Sequence, residues 1–116
     1  MGHVNHAVYF TYFEQCRFAW WRHLGSASGM PGATTVIVHA DCDYRAPAHV
    51  HDELEIQLSV GKVGRTSVTL MYDVLNVGNG EPLASGRTVN VAIDPSSQRP
   101  IAVPDSTRRL LERPFD

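Results

Sequence analysis

The stretch from Tyr9 to Trp21 constrains this chain more than any other. Seven of its ten aromatic residues fall there: Tyr9, Phe10, Tyr12, Phe13, Phe18, Trp20 and Trp21. Tyr9, Tyr12, Phe13, Cys16 and Trp20 recur at the spacing of one helix face. Phe10 and Trp21 widen the stripe, and a helix apolar over much of its circumference needs protein on most sides. Asn5 stands where an N-cap side chain would accept a first-turn N–H, and Gly25 where a helix would stop. The spacing predicts a helix over residues 6–24.

Beyond the Gly- and Ser-rich residues 25–33 the period falls to two. Val36, Val38, Ala40, Cys42 and Tyr44 alternate with Ile37, His39, Asp41, Asp43 and Arg45. This predicts a strand that Pro47 ends. Leu54, Ile56, Leu58 and Val60 alternate with polar residues in a second strand, which a turn between Gly61 and Gly64 would follow. Val68, Leu70, Tyr72 and Val74 form a third, and residues 77–82 a hairpin loop. A fourth strand over 83–94 places Val89, Val91 and Ile93 on one face. Residues 94–105 carry three prolines and read as irregular, and a short helix over Ser106–Arg113 follows, capped by Asp105 or Ser106. The predicted class is α+β: one long central helix wrapped by a curved antiparallel sheet, as a single domain over 1–116.

Composition narrows the function. Ten basic against twelve acidic residues give a net charge of −2, which argues against a nucleic-acid binder. No apolar run approaches the ~20 residues that span a bilayer, so no membrane role is expected. Two cysteines, Cys16 and Cys42, suit a reducing, cytoplasmic setting better than a disulfide framework. No Cys-x-x-Cys, His-Glu-x-x-His or P-loop is present, and Gly25-Ser26-Ala27-Ser28-Gly29 has alanine where a nucleophile elbow needs serine.

Four places have residues suited to chemistry. His49-x-His51-Asp52 offers two imidazoles and a carboxylate, but a solvated strand entry explains them as well, and no metal is predicted. Arg65-Thr66-Ser67, near Lys62, would suit a phosphate; by composition alone it reads as a polar hairpin turn. Gly2-His3-Val4-Asn5-His6 precedes the buried helix, whose free N–H groups can stabilise an oxyanion. Glu14 lies among large aromatics, either as a base of raised pKa or as a structural partner for Arg17 or Arg22.

Residues Gly2 to Arg17, GHVNHAVYFTYFEQCR, resemble the signature of acyl-CoA thioesterases of the 4-hydroxybenzoyl-CoA thioesterase type, which adopt the hotdog fold. The family form is Asp-x-x-Gly-His-Val-Asn-Asn-x-x-Tyr, then an aromatic stretch and Glu-x-x-Arg; His6 replaces the second Asn. The resemblance implies hydrolysis of an acyl-CoA to free acid and CoA, without cofactor. It makes the backbone N–H of His6 the oxyanion donor, with His3 and Asn5 shaping the acyl pocket and fixing the turn. Tyr9 would line that pocket. Arg65, Thr66 and Ser67 match the turn that meets the CoA phosphates, and Glu14 matches a recurrent helix glutamate. A homodimer or homotetramer is expected, since the sheet edge needs cover. The family's catalytic Asp and first strand count back to positions before Met1, so the chain as written is expected to be weak or inactive. The alternative is a non-catalytic acyl-CoA or acyl-carrier binding module on the same fold.

Overall fold

The computed structural model describes residues 6–25, 30, 33–49 and 51–112, with the side chains of residues 6 and 7 excepted. The element order is α1 (His6–His23), β1 (Thr34–Tyr44), β2 (Leu54–Val63), β3 (Ser67–Asn76), β4 (Pro82–Ile93) and α2 (Asp105–Glu112). The strands form one antiparallel sheet in the order β1-β4-β3-β2. Among the described residues, no helix is long and apolar enough to cross a membrane.

Helix α1 ends where predicted. Gly25 has φ of +100°, a left-handed conformation that a side chain would strain, and its N–H closes the last turn on Arg22 O at 3.0 Å. The helix lays Tyr9, Phe13 and Trp21 onto the sheet, all 2% exposed or less. Phe13 stacks on Tyr72 with ring centroids 4.5 Å apart and presses against Gly86. Any Cβ at Gly86 would lie 2.7 Å from the Phe13 ring, so a glycine here sets how closely helix and sheet approach.

The long central helix wrapped by the sheet is not what the structure shows. Helix α1 has 18 residues, and only one side is covered: Phe10 and Phe18 are exposed, as are Glu14 and Gln15. Four strands about 4.8 Å apart make a sheet roughly 15 Å across, enough to underlie a helix about 10 Å thick but too narrow to close round it.

Two further expectations about the strands are corrected. A bulge between Ile37 and His39 breaks the alternation of β1, so Ile37, not Val36 or Val38, shares the helix-facing row with Ala40, Cys42 and Tyr44. In β4 Val89, Val91 and Ile93 share one face as predicted, and the helix-facing row is the other one, Ala84, Gly86, Thr88, Asn90 and Ala92. Thr88 and Asn90 are buried there because they are hydrogen-bonded. Tyr72 hydroxyl and Asn90 Nδ2 reach Thr88 Oγ1 at 2.8 and 3.1 Å, and Asn90 Nδ2 also donates to Val68 O at 3.1 Å. Finally, Gly61 lies within β2, which runs on to Val63 before turning.

Candidate active site

Helix α1 begins at His6, so the backbone N–H groups of its first turn lack intrahelical acceptors and carry the positive end of the helix dipole. Tyr9 sits one turn further along. Helical side chains lean toward the N-terminus, which carries the Tyr9 ring back over that first turn. There it meets Tyr12 edge-on at 6.0 Å and Tyr44, the last residue of β1, at 5.6 Å. Burial pushes the Tyr9 phenol above its ordinary pKa, and Cys42, Tyr12, Tyr44 and Asp52 add to the shift. The phenol therefore stays protonated as a neutral hydrogen-bonding group. His3 and Asn5 lie outside the described residues, as does the His6 side chain; only the backbone start of the motif helix is placed.

A cleft of about 440 Å³ opens beside this cluster, between Tyr12, Gln15 and Cys16 of α1 and Leu54 and Ile56 of β2, with Asp52 at its rim. Asp52 is occupied locally: its Oδ2 accepts the His49 backbone N–H at 2.8 Å and lies 3.5 Å from His49 Nδ1. Among the described residues, no group of three or more His, Cys, Asp or Glu is arranged to hold a metal ion. Burial raises the thiol pKa of Cys16, with Arg17 partly opposing, and that of Cys42, with a hydrogen bond from Tyr44 partly opposing. Neither is poised as a thiolate nucleophile.

Glu14 and Arg17 part company. Glu14 is exposed, whereas Arg17 is buried and donates from Nη1 to the Tyr72 hydroxyl at 3.4 Å. No ion pair joins them among the described residues. Glu14 is eight residues beyond His6, about 12 Å along the helix axis at 1.5 Å per residue. Within one chain the structure does not bring its carboxylate to the first turn.

The residues Arg65, Thr66 and Ser67 lie at the opposite end of the sheet. Tyr44 pairs with Ala84, while Ser67 pairs with Val91, seven residues further along β4, or about 23 Å at 3.3 Å per residue. The turn is held from α2. Arg108 Nη2 donates to Gly64 O at 2.7 Å and to Arg65 O at 3.3 Å, and Val103 N donates to Arg65 O at 2.8 Å. These bonds occupy the turn's carbonyls and leave the Arg65 side chain exposed. Neither Arg108 nor Tyr44 belongs to a motif. The one sequence signal for Tyr44 is its place at the end of the alternating run that contains Cys42.

Comparison with known proteins agrees with this architecture. The 1,4-dihydroxy-2-naphthoyl-CoA hydrolase of Synechococcus sp. (strain CC9605) is 39% identical over 88 residues, which is 76% of this chain and 58% of that enzyme. The acyl-CoA thioester hydrolase YbgC of Escherichia coli O157:H7 is 30% identical over 108 residues, covering 90% of this chain and 80% of the enzyme. A thioesterase from Thermus thermophilus, solved with coenzyme A and Zn, superposes with a TM-score of 0.83 at 27% identity, covering 97% of this chain and 86% of that one. Residues 1–83 match the family described as the thioesterase superfamily, and the chain belongs to that superfamily, whose hotdog fold it shares.

Proposed function

We propose that the protein hydrolyses an acyl-CoA thioester, with residues 1–116 acting as one domain of the 4-hydroxybenzoyl-CoA thioesterase type. The observation that carries this reading is the start of α1 at His6, one turn before the Tyr9 cluster, on a thioesterase scaffold. The thioester carbonyl oxygen accepts the His6 backbone N–H, and the helix dipole stabilises the negative charge that develops as water adds to the carbonyl carbon. A carboxylate that takes the water's proton completes the attack. The C–S bond then breaks, and CoA leaves as a thiolate that is readily protonated. In this reading His3 and Asn5 shape the turn before the helix, and Tyr9 walls the acyl pocket. Glu14 serves the structure of the exposed side of α1.

The 23 Å separation supports a two-copy site. Among the described residues no strand pairs with the outer edge of β1, which exposes Val36, Ile37 and Val38, and the side of α1 away from the sheet exposes Phe10 and Phe18. Antiparallel pairing of two β1 edges covers this apolar surface and turns the 65–67 end of one copy toward the α1 start of the other. Arg65, with Thr66 and Ser67, then meets the CoA phosphates of a thioester held by its partner. The homodimer, or a tetramer built from it, is the working unit. The two free, half-buried cysteines of each chain fit a reducing compartment such as the cytoplasm.

The test is thiol release from a panel of acyl-CoA esters by the full-length protein, alongside calorimetric binding of each ester. Turnover is the expected result. Tight binding with no thiol released would replace the enzyme with an acyl-CoA binding module.

A further inference from the structure

We propose that Arg108 is a positioning residue for CoA binding: it holds the turn over residues 64–67 from behind, so that the N–H groups of Arg65 and Thr66 face outward to receive a phosphate. The inference rests on the reading of this turn as the place where the CoA phosphates bind. A four-residue turn often closes itself with a bond from its fourth N–H to its first C=O. Among the described residues no such bond runs from Ser67 N to Gly64 O; the ends are joined by Gly64 N donating to Ser67 O at 2.8 Å. Gly64 O is taken instead by Arg108 Nη2 of α2 at 2.7 Å. The same nitrogen lies 3.3 Å from Arg65 O, which also accepts Val103 N at 2.8 Å.

The direction of the N–H groups follows from the carbonyls. Gly64 C=O and Arg65 N–H belong to one planar trans peptide and point opposite ways, as do Arg65 C=O and Thr66 N–H. With both carbonyls drawn toward α2, both N–H groups point away from it. Among the described residues no acceptor takes either one. Two adjacent N–H groups on one side make an anion-binding concavity, and the exposed Arg65 side chain adds a positive charge at the same turn. Arg108 is itself fixed. Thr107 and Leu111 of its helix are buried, and Glu112 Oε1, one turn on, lies 3.6 Å from its Nη1. Its guanidinium is engaged by carbonyls and a carboxylate, so it acts on a phosphate through the turn. Without it nothing from α2 holds Gly64 O, and a glycine offers the least resistance to rotation of that peptide.

The test is thiol release by the full-length protein from benzoyl-CoA and from benzoyl-pantetheine, which has the same thioester but no phosphate. Wild type is compared with Arg108→Met and Arg109→Met. The second variant removes the same charge from an exposed neighbour that, among the described residues, has no bond to the turn. Loss of phosphate binding equal to about one hydrogen bond predicts that Arg108→Met raises the KM for benzoyl-CoA about fivefold to tenfold, with kcat little changed. The kcat/KM for benzoyl-pantetheine is expected to hold in all three proteins, and the KM for benzoyl-CoA to stay near wild type in Arg109→Met. A KM unchanged in Arg108→Met, or raised as much in Arg109→Met, would overturn the role of Arg108 and leave the thioesterase reading standing. So would an equal loss on both esters, the mark of a merely structural defect. No thiol release from either ester by the wild-type protein would overturn both.

Discussion

Replacing Gly86 with alanine adds one carbon where helix and sheet are closest. That carbon would lie 2.5 Å from Asp41 O and 2.7 and 3.0 Å from two carbons of the Phe13 ring. The carbonyl belongs to the β1–β4 ladder and is not free to yield. The ring is fully buried and stacked on Tyr72 at 4.5 Å, so it moves only if α1 lifts off the sheet. Overpacking of a close-packed interior costs about 1–3 kcal/mol, and a clash with backbone on one side and a pinned ring on the other belongs at the upper end. A loss of about 2.5 kcal/mol corresponds to a Tm lowered by about 10 °C for a domain of this size. Urea unfolding followed by tryptophan fluorescence measures it, since Trp21 is buried against the core. Shortening the ring as Phe13→Leu relieves the clash, so the double variant is predicted to be less destabilised than the sum of the two single changes. A Gly86→Ala protein as stable as the wild type would refute the claim that this glycine sets the helix–sheet spacing.

Two other substitutions probe the sheet. Thr88→Val removes the oxygen that Tyr72 and Asn90 both use; Asn90 Nδ2 keeps Val68 O, but the buried Tyr72 hydroxyl is left with Arg17 as a donor and no acceptor for its own proton, so a loss of about 1–3 kcal/mol in unfolding free energy from urea titration is expected, and a neutral result would show the network to be idle. Asp41 accepts hydrogen bonds from His39 and Arg87 at 2.9 and 2.7 Å, and these hold its carboxyl below the ordinary value. Because its folded pKa is depressed, its contribution is present above about pH 4 and is lost as the pH falls through the folded value. The pair is exposed, so the gap in stability between wild type and Asp41→Asn is predicted to stay under about 1 kcal/mol at pH 6 and to shrink steadily on acidification below about pH 4. A gap that widens on acidification would contradict that sign.

Much of this was legible in residue order, and the failures have physical causes. Regular spacing located α1, and Gly25 its end, because a period of 3.6 and a left-handed glycine are local properties. Which aromatic residues face the sheet was legible only in part: the helical stripe holds Tyr9 and Phe13 and leaves out Phe18, but it also admits Phe10. Tyr9, Phe13 and Trp21 are buried and Phe10 and Phe18 are not, yet all are large and apolar, and only the width of the sheet decides. Which face of β4 turns to the helix was not legible for a related reason. Thr88 and Asn90 look outward-facing by polarity, but inside the core Tyr72 of β3 bonds the Thr88 hydroxyl and Val68 O of β3 accepts from Asn90 Nδ2. The bulge at Val38 leaves no mark in an unbroken apolar run. At the candidate site, the motif marked the start of α1, a contiguous stretch. That Tyr44 comes to Tyr9 and that Arg65 lies far from it follow from strand register, which no local pattern encodes.

The central claim is that a backbone N–H at the start of α1 stabilises the oxyanion. Proline at the first position of a helix keeps the helix and deletes that N–H. The direct measurement is therefore the kcat for acyl-CoA hydrolysis of His6→Pro against His6→Ala, with far-ultraviolet circular dichroism confirming that α1 persists in both. The account predicts a loss of about 100-fold to 1000-fold in His6→Pro and little change in His6→Ala, which retains the donor. Equal rates for the two variants would contradict it.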